Sequence, residues 1–108
     1  MKGLTKTEET ILIAIWRLKD NAYGVTIKNQ IKKVTKRDYF YNTLYTTLEQ
    51  LVRKGYVTKR YGDPTSVRGG KRKIYFDLTN ESIKALKNAF AQQKTVWYGI
   101  TEDTFNIG

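Results

Sequence analysis

Asn42, Thr43 and Thr46 lie in the stretch YNTLYTTLEQLV, where Leu44, Leu48 and Leu51 recur at helical spacing. A side-chain amide offers a donor and an acceptor together, so Asn42 can pair bidentately with adenine in a DNA major groove. Asparagine is equally a turn and capping residue. Threonine hydroxyls bond bases or phosphates, and their methyl groups fit against the thymine methyl. Tyr41 and Tyr45 stand beside them. The Tyr45 hydroxyl can reach a phosphate, with packing between helices as its alternative role. A second constellation, RYGDPTSVRGGKRKIYF over 60–76, sets Arg68, Lys71, Arg72 and Lys73 around Gly69 and Gly70. Glycine lacks a Cβ, so a turn made of it can approach a phosphate backbone closely. Arginine suits narrow, negative grooves, and lysine adds counterion release. The alternative is an ordinary solvated loop.

Other chemistry is poorly supplied. The chain has no His and no Cys. The commonest general base, the thiol nucleophile and the imidazole and thiolate metal ligands are therefore missing. The paired acids Glu8-Glu9 and Glu102-Asp103 are neighbours in sequence, and neighbours on a helix do not share a face. Neither pair lies beside a Gly-rich phosphate loop. Neither an enzyme nor a bound cofactor or metal is expected. A cysteine-free chain also has no disulfide and fits a reducing compartment.

The 108 residues suggest one domain with a modest core. Lys and Arg number 20 against 10 Asp and Glu, a formal charge of +10. That excess is segregated: residues 24–75 carry 13 basic and 3 acidic side chains, while the remainder carries 7 of each. One face is expected to meet a polyanion. The N-terminus lacks the apolar run of a signal peptide, and Ile11–Trp16 is too short to cross a bilayer. A cytoplasmic protein without a membrane role is expected.

The elements that must position these groups follow from periodicity. Thr5 and Glu8 have the spacing of a capping box, and Ile11, Leu12, Ile15 and Leu18 repeat as a helix. Ile13, Ala14 and Trp16 make that helix apolar nearly all round, as if buried on a second side. Asp20-Asn21 ends it. Ile27, Ile31 and Val34 form the stripe of a second helix, with Lys28, Lys32 and Lys33 turned away. Lys36 to Asp38 connect to a third helix, capped by Asp38 or beginning nearer Phe40. Gly55 is expected at its C-cap. Strands follow over 56–61 and 73–78, the second with Ile74, Phe76 and Leu78 on one face. Thr79 starts a last helix with Ile83, Leu86 and Phe90 as its buried stripe.

Three helices followed by a hairpin form a winged helix-turn-helix pattern: mainly α with a small β-hairpin, in the order α-α-α-β-β-α. Gly62 to Arg72 is then the tip of the wing. Tyr41, Asn42, Thr43 and Thr46 begin the recognition helix, whose N-terminal residues face base edges. Lys28 and Lys32 are expected phosphate contacts. Arg53, Lys54 and Lys59 are read as solvated. Residues 1–79 make a DNA-binding domain and 80–108 a dimerisation helix and tail. Ile13, Trp16, Phe90, Val96, Trp97 and Tyr98 are surplus apolar groups, expected at the interface of a homodimer.

Tyr23-Gly24, TLYTTLEQLVRKGYV at 43–57 and GGKRKIYFDLT at 69–79 resemble the PadR family of transcriptional regulators. The likeness spans most of the chain, in three segments of the right order and spacing. It implies a homodimer, built by helix one and the last helix, that binds double-stranded operator DNA and most often represses. It matches Tyr45 to the family's helix-three tyrosine. It implies in some members an aromatic effector near the dimer interface, where Trp97 and Tyr98 could line a pocket; packing is the favoured role for both. Members often carry glycine three residues after the Thr that ends the second strand, whereas Ser82 stands here. The short last helix and tail place the chain nearer the compact subgroup.

Overall fold

The structure, a computed structural model, describes residues 3–62 and 72–106. Thr5 Oγ1 accepts from the Glu8 amide at 3.1 Å, and Glu8 Oε1 accepts from the Thr5 amide at 2.9 Å. This reciprocal cap satisfies two orphan donors and starts α1, Lys6–Leu18. A 3-10 turn, Lys19–Asn21, leads to α2, Gly24–Thr35. There the Thr26 hydroxyl accepts from the Tyr23 amide at 2.9 Å. Helix α3 spans Tyr41–Arg53. It ends where Gly55 takes φ +80°, a left-handed geometry that a Cβ disfavours. The Gly55 and Tyr56 amides then turn back to the Val52 and Leu51 carbonyls at 3.0 and 2.9 Å, a Schellman closure.

Strands β1, Val57–Tyr61, and β2, Ile74–Leu78, pair antiparallel from Val57↔Leu78 to Tyr61↔Ile74. Helix α4 covers Asn80–Val96. The order is the expected α-α-α-β-β-α. At the start of α4 the Thr79 amide donates to Ser82 Oγ at 3.0 Å and the Ser82 amide to Thr79 Oγ1 at 3.3 Å. Ser82 is fully buried. Its hydroxyl thus does capping work that a glycine there could not. The Thr79 hydroxyl also donates to the Gly55 carbonyl at 2.7 Å, tying α4 to the turn after α3.

One core joins these elements. Ile11, Leu12, Ala14 and Ile15 of α1 meet Ile27 and Ile31 of α2 and Leu44, Leu48 and Leu51 of α3, with Ala22, Val57 and Phe76 closing the end. The hairpin docks by its backbone as well: the Phe76 amide donates to the Ala22 carbonyl at 2.8 Å, and Tyr23 bridges Tyr75.

Two expectations need correction. Val34 is 60% exposed and lines a shallow groove between α1 and α2 rather than the core. Phe90 is 63% exposed; among the residues of α4 only Ser82 is buried, and Ile83 and Leu86 are half-buried. The helix runs about 25 Å at 1.5 Å per residue, so most of it projects past the core of a molecule measuring 60 × 32 × 22 Å. Of the two starts open for α3, the one near Phe40 holds, and Asp38 does not cap the helix. Phe40 takes the N-cap position and no side chain caps the helix.

Glu8 is 1% exposed, yet charged. Burial opposes its ionisation, but the Lys54 ammonium at 2.5 Å and the Thr5 amide outweigh that and hold its carboxyl below the ordinary value. This pair stitches the start of α1 to the end of α3. Its contribution is complete above the unfolded carboxylate pKa of about 4.3 and disappears as pH falls through the lower folded value. Glu8→Gln should cost about 1–3 kcal/mol at pH 7. Urea unfolding at pH 7 and again at pH 3 should show the gap between variant and wild type closing.

Gly24 is required by contact rather than by dihedral angle. A Cβ there would stand 1.9 Å from Tyr45 Oη and 2.8 Å from Cζ, so the ring lies across bare backbone. Gly24→Ala should displace Tyr45 and cost about 1 kcal/mol. In a Tyr45→Ala background the same change should be neutral or stabilising, since alanine is the better helix former. A double-mutant cycle reads the coupling.

Candidate nucleic-acid interface

Burial of Leu44, Leu48 and Leu51 turns the opposite side of α3 to solvent. Tyr41, Asn42, Thr43, Tyr45 and Thr46 are all exposed there. Every α3 residue singled out from the sequence therefore shares one accessible surface at the start of the helix. The Tyr41 and Tyr45 rings stack with centroids 6.1 Å apart. Thr47, by contrast, turns inward and donates to the Thr43 carbonyl at 2.9 Å. Tyr45 takes the packing alternative across Gly24 while keeping part of its ring in solvent.

Phe40 was read from the sequence only as a helix start, not as part of this surface. It occupies the N-cap of α3 and is 81% exposed. Ser, Thr, Asp and Asn are the residues that serve this position, so a phenylalanine leaves the first amides of α3 without a side-chain acceptor. The signal in the sequence was an apolar residue at a helix start, where a polar cap is usual.

Lys28 and Lys32 are on the same side of the molecule as the approach to α3, but neither is simply solvated. Lys28 Nζ lies 2.5 Å from Asp38 Oδ1, and Lys32 Nζ lies 3.9 Å from Oδ2. The Lys28 side chain is only 19% exposed and also stands 5.1 Å above the Tyr41 ring. The Lys28 hydrogen bond, with Lys32 adding to it, holds the Asp38 carboxyl below its ordinary value. Lys54 and Lys59, read as solvated, are also in ion pairs, with Glu8 and with Glu49 at 2.7 Å.

The base of the hairpin is a stack of aromatic and cationic groups. Tyr23 and Tyr75 meet edge to face at 5.5 Å. Lys73 Nζ stands 4.5 Å above Tyr23, and the Arg60 guanidinium 4.8 Å above Tyr75. Arg60 is held further by Asp77 at 3.0 Å and by the Asp20 carbonyl. Arg72 and Lys73 are exposed. Arg68, Gly69, Gly70 and Lys71 lie outside the described residues.

The apolar groups assigned to a dimer are separated from this surface. Ile13 and Trp16 of α1 and Phe90, Val96, Trp97 and Tyr98 at the C-terminal end are all exposed. Ile13 borders the groove between α1 and α2, about 170 Å³, with Val34 on its other side. A larger groove of about 690 Å³ runs between the start of α1 and α4, lined by Leu4, Tyr56, Ala85, Ala89, Val96 and Trp97 among polar neighbours. Trp97 therefore borders a cavity. Tyr98 does not; it is 88% exposed. Among the described residues no helix is long and apolar enough to cross a membrane.

Known structures share this arrangement. A transcriptional regulator from Clostridium thermocellum is 25% identical, with a TM-score of 0.71 over 93% of this chain and 92% of its own. A PadR family transcription regulator from Clostridium difficile is also 25% identical, with a TM-score of 0.61 over 82% and 88%. RosR of H. salinarum shares the fold at 22% identity and a TM-score of 0.66, over 92% and 82%. No curated protein sequence matches significantly. The pattern of the transcriptional regulator PadR-like family matches residues 11–88, from α1 into α4. With that match over most of its length and the winged helix-turn-helix fold to go with it, the chain belongs to the PadR-like family of transcriptional regulators.

Proposed function

We propose that this chain is a sequence-specific DNA-binding regulator that acts as a homodimer on an inverted-repeat operator and represses transcription there. The observation that carries the reading is the exposed start of α3, where Asn42, Thr43 and Thr46 share one face that no other described element covers. An α-helix presented this way fits a major groove. Asn42 reads adenine, and Thr43 and Thr46 reach bases or phosphates. Phe40 offers an apolar surface to a thymine methyl, the one apolar group in that groove. Lys28 and Lys32 contact the backbone. Arg68 and Arg72 enter the neighbouring minor groove or its phosphates, with Lys71 and Lys73 adding charge and Gly69 and Gly70 allowing close approach.

The dimer rests on a division of labour. Residues 1–79 bind DNA, and 80–108 supply the helix and tail that pair with a second copy. Ile13, Trp16, Phe90, Val96, Trp97 and Tyr98 are the groups a second copy would cover. Two copies also supply the footprint that one lacks, since two-fold proteins read half-sites about one helical turn apart. A small aromatic effector, if one is used, would be seated beside Trp97 in the α1–α4 groove. Sedimentation should return twice the 12.6 kDa chain mass, and Phe90→Ala with Trp97→Ala should shift it toward the monomer. A wild-type protein that stays monomeric at micromolar concentration removes the dimer from the reading.

The first test is selection from sheared genomic DNA at about 150 mM salt, where non-specific binding is suppressed. Enrichment of a few fragments sharing an inverted repeat supports a sequence-specific regulator. A flat profile favours a sequence-independent or architectural binder. Two substitutions then separate the roles of the residues. Asn42→Ala should relax preference at particular bases, by about 1–3 kcal/mol per site. Arg72→Ala should weaken binding to all sequences alike and lower the salt slope by about one. Equal losses on operator and random DNA for Asn42→Ala would sink its base-reading role.

A further inference from the structure

We propose that Asp38 is an affinity-setting residue of the DNA interface, a built-in carboxylate that occupies the seat of a DNA phosphate between Lys28 and Lys32. This rests on the DNA-binding role of α2 and α3 proposed above and adds to it a residue that works against binding. Asp38 is placed for the part by position: it follows α2 and comes two residues before Phe40, the N-cap of α3. Its two oxygens are divided between the two lysines, Oδ1 at 2.5 Å from Lys28 and Oδ2 at 3.9 Å from Lys32. One anion bridging two ammonium groups is the arrangement a backbone phosphate would adopt with them.

The carboxylate has no structural duty that would explain it otherwise. It caps no helix, because α3 starts three residues later without a side-chain cap. It is half exposed and Lys32 is 62% exposed, while Lys28 is 19% exposed; ion pairs open to solvent on the acidic side contribute little to stability. It is also the only acidic side chain from residue 24 to residue 48, a stretch with five basic ones. A DNA phosphate arriving at Lys28 or Lys32 must displace Asp38 or sit beside a like charge. Either event weakens backbone contact without regard to sequence, because phosphates carry no sequence information. The consequence is a protein whose strong positive charge is throttled on α2, beside the helix that reads bases, so that residence on arbitrary DNA is shortened.

The test measures Kd against salt concentration for wild type, Asp38→Asn, Lys28→Ala/Lys32→Ala and the triple variant. Each is titrated with one operator duplex and one random-sequence duplex, and circular dichroism confirms folding. Asp38→Asn should bind both duplexes about three- to tenfold more tightly near 0.1 M salt. Its salt slope should steepen by about 0.9, the value for one more phosphate neutralised. That gain should disappear in the triple variant. A gain that persists without the two lysines reduces Asp38 to its net charge and overturns the proposal. Binding by Asp38→Asn that is unchanged or weaker also overturns it, and would make Asp38 a residue that orients Lys28 for phosphate. Failure of the DNA-binding reading itself looks different: wild type then binds neither duplex.

Discussion

The seating of α3 decides what the rest of the molecule can do. Leu44, Leu48 and Leu51 are fully buried, and three anchors spaced four and three residues apart leave a helix no freedom to turn about its axis. Rotating α3 by a single residue, about 100°, would put Tyr45, Glu49 and Val52, or Thr43, Thr47 and Gln50, where the leucines are. The polar face at Asn42, Thr43 and Thr46 is therefore as fixed as the core is. Other contacts hold it too. Lys54, just past the C-terminus, is tied to buried Glu8, the Gly55 closure fixes the exit, and Tyr45 rests across Gly24. The start of α3 alone lacks a side-chain clamp. The N-terminal amides and the residues beside them are left for an external acceptor, which is the arrangement a helix needs to meet an anionic backbone.

Electrostatics follow a different logic from packing. A formal charge of +10 concentrated in half the chain implies strong attraction to a polyanion. Much of that charge is nevertheless paired within the fold. Lys28 and Lys32 share Asp38, Lys59 meets Glu49, Arg60 meets Asp77 and Lys54 meets Glu8. Most of these pairs are exposed and add little stability, while Glu8 with Lys54 is buried on the acidic side and does contribute. The distinction matters for ionic strength. Exposed pairs compete with phosphates and with salt on equal terms, whereas the Glu8 pair is shielded from both.

The helices, the hairpin and their order were legible because each rests on local signals. The Thr5–Glu8 box, the leucine spacing of α3 and the glycine after Lys54 are all encoded within a few residues. The failures share one cause: they depend on what lies opposite. Val34 has the right spacing for a buried stripe, but it stands at the rim of a groove instead. Phe90 continues the stripe of Ile83 and Leu86, but α4 has already left the core. Asp38 has capping chemistry next to a helix, yet two lysines from the preceding helix claim it. Ser82, which departs from the glycine common in the resembling family, proved to be a buried cap partner of Thr79. Its neighbours in sequence offered no way to see that burial.

The exposed apolar groups are too many and too ordered to be incidental. Ile13 and Trp16 on α1, and Phe90, Val96 and Trp97 toward the end of α4, are all exposed. Single exposed apolar residues are ordinary on a protein surface, but a helix that carries several and packs on almost nothing is not. A 17-residue helix in water is only marginally stable by itself. In the proposed dimer, α4 gains the packing that its own core withholds. Folding of α4 and pairing of two copies would then be coupled, so that a chain too dilute to pair would lose order first at the end farthest from Ser82. The same coupling would set the spacing of the two recognition helices, and with it the separation of the half-sites. That makes the length and straightness of α4 a determinant of which DNA the protein can read, although no residue of α4 is assigned a contact with DNA.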